Sequence, residues 1–235
     1  MKKILLSAAC VAAFGAAPAL AQDGGGESPW SLSGTFGVVS DYTFRGISQT
    51  GGDAAVQASF TVAHDSGFYF TTWGSNVDFG DGETDWEVDF TLGYGGSIDD
   101  MTTYDVNVTY YAYPNQPNGA NYDYVELIGG ITRDLGDGLS IGAKVAWSPD
   151  NFGETGDEIW LALNGTYEVA EWLSISANLG YQSLDDSYYS PDNYFYYDIG
   201  ATVTYGILGL DVRYVATDSD VYGKDKIVGS AIFSF

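Results

Sequence analysis

Between Thr84 and Tyr94 the chain reads TDWEVDFTLGY. Trp86, Val88, Phe90, Leu92 and Tyr94 alternate there with Asp85, Glu87, Asp89, Thr91 and Gly93. A period of two predicts a β-strand with one apolar and one acidic face. The same alternation recurs along the chain and predicts about 12 strands. The first runs from Trp30 to Phe44, and the others centre on 56–62, 68–77, 84–94, 104–110, 125–131, 139–147, 159–167, 173–181, 195–205, 208–214 and 227–235. No sustained 3.6-residue period is present. No apolar run near the length of a membrane-spanning helix follows Ala21.

Alternation alone does not say which face meets water. A soluble sandwich or a lipocalin-like binder would place the carboxylates outside, whereas a membrane barrel would place them in a lumen. Most segments reach the length that a tilted strand needs to cross a bilayer, and exceed the usual strand of a soluble protein. The connections also alternate in length. HDSG, DLGDG, EVAEW and GILG are short, whereas YPNQPNGANYD and SLDDSYYSPDN are long and rich in Asp, Asn and Pro. That alternation predicts an up-and-down barrel with both termini at the short-turn end. GGSIDDMT, after the fourth segment, is too long for its class. Trp30, Tyr42, Phe44, Trp86, Tyr94, Trp147, Tyr181 and Tyr205 fall at segment ends, as two interfacial girdles would require. The fold expected is all-β: a transmembrane up-and-down antiparallel β-barrel whose apolar face meets lipid.

The N-terminal MKKILLSAACVAAFGAAPALA has a basic start, a short apolar stretch and a small-x-small end, and predicts a cleaved signal peptide over 1–21. Residues 22–29 then form a flexible lead-in and 30–235 the barrel. Cleavage removes Cys10, the sole cysteine, so no disulfide or thiol chemistry is expected. Loss of Lys2 and Lys3 deepens the net charge from −24 to about −26. Such a charge disfavours nucleic acid and favours cations. An aromatic content of 16% argues against a disordered acidic chain. The terminal SAIFSF, with Phe233 and Phe235, partly resembles the C-terminal signal read by the outer-membrane barrel assembly machinery; Gly229 and Ala231 depart from it.

Four further stretches, in order, carry a family resemblance: VVSDYTFRGISQT (Val38 to Thr50), SGFYFTTWGSNVDFG (Ser66 to Gly80), YYAYPN (Tyr110 to Asn115) and YVEL (Tyr124 to Leu127). Together they resemble the TorF family of porins, also named Gcw_chp. The resemblance implies a Gram-negative outer-membrane location, outer-membrane lipids as surroundings and a pore-like role. It supplies no catalytic residues and no substrate.

If the apolar face meets lipid, the opposite face lines the lumen with Asp41, Glu87, Asp89, Asp105, Glu126, Asp198 and Asp211, against Arg45, Lys144 and Arg213. Seven acids to three bases predict a cation-attracting interior. Arg45, placed at the upper end of strand 1 beside Asp41, could join Arg213 and facing acids in a constriction that aligns an ion. The same residues could instead form salt bridges that fill a narrow barrel, and the two readings stand equal. Trp160 is expected to point inward beside Asn164. The Tyr-rich run SYYSPDNYFYYD is expected to fold into an interfacial girdle rather than to stack on sugars, and the loop acids to be solvated. DSDVYGKD begins like a calcium loop, but Tyr222 and Gly229 occupy ligand positions. His64 and Ser66 share one tight turn, which turn chemistry explains without catalysis. No metal ligands or cofactor are expected, and no enzymatic activity. The expectation is a porin passing small solutes by passive diffusion, with cations preferred. The alternative is a closed barrel that acts through its acidic, Tyr-rich loops.

Overall fold

A computed structural model describes residues 28–185, 193–219 and 225–235. The expected signal peptide, most of the lead-in, and the loop acids Asp186, Asp192 and Asp220 lie outside these residues. The strands are β1 (Trp30–Val39), β2 (Thr43–Phe44), β3 (Ile47–Ser48), β4 (Ala55–His64), β5 (Phe68–Asn76), β6 (Trp86–Asp99), β7 (Thr102–Ala112), β8 (Tyr124–Gly136), β9 (Leu139–Ser148), β10 (Glu158–Ala170), β11 (Leu173–Leu184), β12 (Asn193–Tyr205), β13 (Leu208–Thr217) and β14 (Lys226–Ser234). All but β2 and β3 form one closed antiparallel barrel, in which each strand pairs with its chain neighbour and β14 returns to β1. Closure leaves no unpaired edge, a requirement for any sheet immersed in lipid.

The stretch at Thr84 to Tyr94 is now oriented. Phe90 and Leu92 project from the outer surface of β6, whereas Glu87 and Asp89 are buried inside. The outer face elsewhere carries Leu32, Phe36, Val106, Leu127, Ile141, Leu161, Leu179, Ile199 and Val212, all exposed. A band of exposed Leu, Ile, Val and Phe around a closed barrel would be ruinous in water. In a bilayer it is the favoured surface, so this is a transmembrane barrel of the outer-membrane type. Trp30, Trp86, Tyr94, Trp147 and Tyr205 are exposed on the same surface.

Short turns join β4 to β5, β6 to β7, β8 to β9, β10 to β11 and β12 to β13, and longer connections join the other consecutive barrel strands, that between β1 and β4 carrying β2 and β3. GGSIDDMT is not a long turn. β6 continues through Gly95, Gly96 and Ile98 to Asp99, β7 resumes at Thr102, and the Asp99 side chain accepts the Met101 N–H at 2.9 Å. At the seam Phe235 lies over Gly34, where a Cβ would stand 2.6 Å from the ring, and the two residues exchange backbone hydrogen bonds. The terminal Phe therefore fits a gap that only glycine leaves.

One expectation of the first segment fails. β1 ends at Val39, and Asp41, Tyr42, Phe44 and Arg45 belong to the connection that follows. Tyr42 is 1% exposed and Phe44 packs against buried rings, so neither joins a girdle. The Tyr-rich run also divides differently, because Asn193 onward is strand. Tyr194 and Tyr196 point into the barrel while Phe195 and Tyr197 face out.

Candidate functional site: a plugged acidic lumen

The connection 40–54 turns inward rather than outward. Within it β2 and β3 pair Thr43 with Ser48 and Phe44 with Ile47, leaving Arg45 and Gly46 as a two-residue turn. Both have positive φ, 48° and 83°, which is the tight hairpin form whose twist suits flanking strands. Gly46 meets the demand without strain, and it also lies against Tyr196 of β12, where a Cβ would stand 2.6 Å from the tyrosine Cβ. The hairpin tip thus reaches across the lumen to β12, three strands from β1 in the barrel.

Arg45 holds it there. Its guanidinium is 4% exposed and bridges Glu126 of β8 at 2.7 Å and Glu158 of β10, while donating to Gln182 of β11 at 3.2 Å. The ring of Phe44 lies 4.6 Å from its central carbon on one side and that of Trp160 4.4 Å away on another. The Tyr111 hydroxyl donates to Glu126 at 2.6 Å, and Trp160 Nε1 donates to the Tyr196 hydroxyl at 3.0 Å. A guanidinium suits this place, because its planar fork serves several carboxylates while its faces meet rings. Asp41 anchors the base of the connection through Ser48, Thr50 and Lys226.

Above the hairpin the long loops close over the mouth with aromatic rings. Phe79, Tyr113, Tyr122 and Phe152 touch one another, with Tyr122 and Phe152 stacked at 4.4 Å. In the upper half of the lumen Tyr42, Tyr111 and Thr109 are fully buried. Toward the short-turn end burial is mixed: Thr35, Ser59, Thr61, Thr71, Asp105, Lys144 and Asn164 are only half-buried, whereas Tyr69, Thr102, Ser174 and Thr202 are buried. The lumen is a polar vestibule capped by a packed plug.

Of the ten residues expected to line the lumen, Asp41 and Arg45 lie on the inserted connection and the other eight are buried or half-buried on strands, and they do not form one set. Arg45 joins Glu126. Arg213 joins Asp198 and Asp211 and donates to Ser176 at 2.8 Å, sharing no partner with Arg45. The expectation of a joint Arg45–Arg213 constriction is therefore corrected, because Arg45 sits on the hairpin tip and not on strand 1. Asp105 accepts from Tyr69 at 2.8 Å and Asn107 at 2.7 Å, with Lys144 two strands away on β9. Glu87 and Asp89 are 2% and 1% exposed, and the Tyr113 hydroxyl donates to Glu87 at 3.3 Å. Trp160 does point inward, on the same face of β10 as Asn164.

Sequence reasoning missed Glu158, Gln182 and the inward tyrosines. The signal for Glu158 was present, since it shares Trp160's face of β10. His64 Nδ1 meets the Ser66 hydroxyl at 2.7 Å and accepts the Ser66 N–H at 3.1 Å in an exposed turn, which is local turn bonding. Among the described residues no group of three or more His, Cys, Asp or Glu side chains is arranged around a metal position.

A family model described as a bacterial protein of unknown function, Gcw_chp, matches residues 23–230. No curated protein matches in sequence. Among solved structures, the barrel is similar to the KdgM porin in complex with disordered oligogalacturonate, with a TM-score of 0.61 at 7% identity over 87% of this chain and 98% of that one. It is also similar to the CymD monoaromatic hydrocarbon channel, at 0.51 and 9% over 88% of each chain. LpxR from Salmonella typhimurium aligns at 0.50 and 11%, over 86% of this chain and 99% of that one. At these identities the likeness is one of fold.

Proposed function

Because the chain belongs to the Gcw_chp family, whose description assigns no activity, we propose from its own interior that this porin-like barrel is a passive channel for small solutes. It prefers cations, and the hairpin at Arg45 occludes it at the long-loop end. One observation carries the preference: the acids of the lumen outnumber its bases. Arg45 and Arg213 are each committed to two carboxylates, while Glu87 and Asp89 have no basic partner among the described residues. An interior with surplus carboxylate lowers the barrier to cations and raises it to anions. The anionic sugar bound by the KdgM porin is poorly suited to such a lumen, so that ligand is not carried over.

The test is single-channel conductance of the refolded mature protein in a planar bilayer, with the reversal potential read under a salt gradient. Discrete steps with a cation-selective reversal are expected, and their open time is short because the plug is well anchored. An anion-selective reversal would overturn the preference. The packed mouth favours one second reading, a closed structural barrel. That reading wins if the channel stays silent even after residues 43–48 are replaced by a Gly-Ser linker in a barrel that still folds.

A further inference from the structure

Arg45 serves Glu126 and Glu158, Arg213 serves Asp198 and Asp211, and Lys226 serves Asp41. The pair Glu87 and Asp89 is left over. Two residues apart on β6, the side chains share one face, and both are almost wholly buried. Glu87 Oε1 accepts the Tyr113 hydroxyl at 3.3 Å and the Tyr42 hydroxyl also lies against Glu87, whereas both oxygens of Asp89 have no hydrogen-bond partner. The residues paired with them on the adjacent strands are uncharged, and Glu126 adds a third carboxylate that repels Asp89. Trp73 of β5 and Tyr111 of β7 flank Asp89, Ser75 flanks Glu87, and the Tyr42 hydroxyl from the plug connection faces the pair. Two adjacent carboxylates withdrawn from water demand compensating charge, and no side chain among the described residues supplies it.

We propose that Glu87 and Asp89 bind a hard divalent cation of the calcium or magnesium class. The donors are all oxygen, with neither nitrogen nor sulfur to favour a transition metal. Two carboxylates balance a double charge, and the Tyr42 hydroxyl offers a further ligand from the plug. The ion would tie β6 to the connection that carries the hairpin, so its loss loosens the plug. Two carboxylates are fewer than a full calcium cage provides, so affinity is modest. The site stands whether or not the barrel conducts, and its test reads binding rather than current.

The experiment uses the full mature chain refolded in detergent and stripped with chelator at neutral pH. Thermal unfolding is followed with and without calcium or magnesium, and terbium serves as a direct probe. Trp73 packs on Tyr42 at 5.3 Å between ring centroids, which places sensitising rings beside the site. Calcium should raise the wild-type melting temperature, and terbium emission should saturate and be displaced by calcium. In E87Q/D89N both responses should vanish, while the chelated variant melts no lower than chelated wild type because the buried repulsion has gone. D89N alone serves as the second variant should the double one not refold, with apparent calcium affinity falling at least about tenfold. Equal calcium responses in wild type and variants would place the ions on exposed loop acids and overturn the proposal. So would a wild type that ignores cations yet gains stability on acidification, since the pair would then hold protons.

Discussion

Replacing Arg45 by Ala is the most direct probe of the plug. The substitution removes the one positive charge between Glu126, which is 0% exposed, and Glu158, and takes away the cation that Phe44 and Trp160 flank. Breaking a buried ion pair from one side typically costs about 3–5 kcal/mol, because the abandoned carboxylates stay out of water. Here the barrel wall itself can survive, since its strands are held by their own ladders. The cost therefore falls on the seated hairpin relative to a hairpin swung out of the lumen. At roughly 1.4 kcal/mol per factor of ten, the ratio of unseated to seated plug should rise by about two to three and a half orders of magnitude. The assay is the open fraction and step size of single channels in a planar bilayer, with an unboiled gel confirming that the variant is folded. R45M/E126Q/E158Q is the matched control: it removes all three charges together, leaves no orphaned carboxylate there, and should return most of the closure. Folded R45A channels with the wild-type open fraction would refute the assignment of Arg45 as the anchor.

Gly46→Ala should open the channel in the same direction by a different route. Its Cβ would stand 2.6 Å from that of Tyr196 and its φ of 83° disfavours any side chain, a combined cost of about 1–3 kcal/mol readable as a raised open fraction. Neutralising Glu87, Asp89 and Asp105 together should shift the reversal potential toward zero selectivity. An unchanged potential would remove these three from the conduction path. Leu92→Lys places a charge on the lipid face and should destabilise the barrel by about 2–4 kcal/mol in vesicle unfolding, an effect a water-facing Leu92 would not show. In the loop before β6, slight burial pushes the Asp81 carboxyl up. Hydrogen bonds from the Thr84 hydroxyl and from the Glu83 and Thr84 N–H groups outweigh it and hold the group below the ordinary carboxylate range. A depressed group stabilises the fold above its unfolded value and loses that contribution as pH falls through the folded one. Carbonyl NMR should accordingly find Asp81 still ionised at a pH where an exposed Asp is half protonated.

The barrel was legible because lipid and lumen impose opposite chemistries on alternate residues, and ten-residue strands repeat that contrast often enough to be read. Phe90 and Leu92 against Glu87 and Asp89 state it within six positions. The plug was not legible for the converse reason. β2 and β3 are two residues each, too short for any period, and the alternation of β1 resumes at Tyr42 and Phe44 with only Ser40 interrupting it. Arg45-Gly46 suits a tight turn, yet nothing local says whether such a turn points to solvent or into the lumen. That direction is set by Glu126, Glu158 and Gln182, which lie 81, 113 and 137 residues away in the chain. The same distance explains why the acids looked like one set. A period of two tells which face a carboxylate shares and leaves open which cation it meets across the lumen. A twelve-stranded barrel is narrow enough for opposite walls to touch a common side chain, so partnership is decided there by diameter and by one inserted connection. Glu87 and Asp89 follow from that arrangement: the plug brings a single guanidinium into a chamber of four carboxylates, seats it on two of them, and leaves the other two in want of a counter-charge.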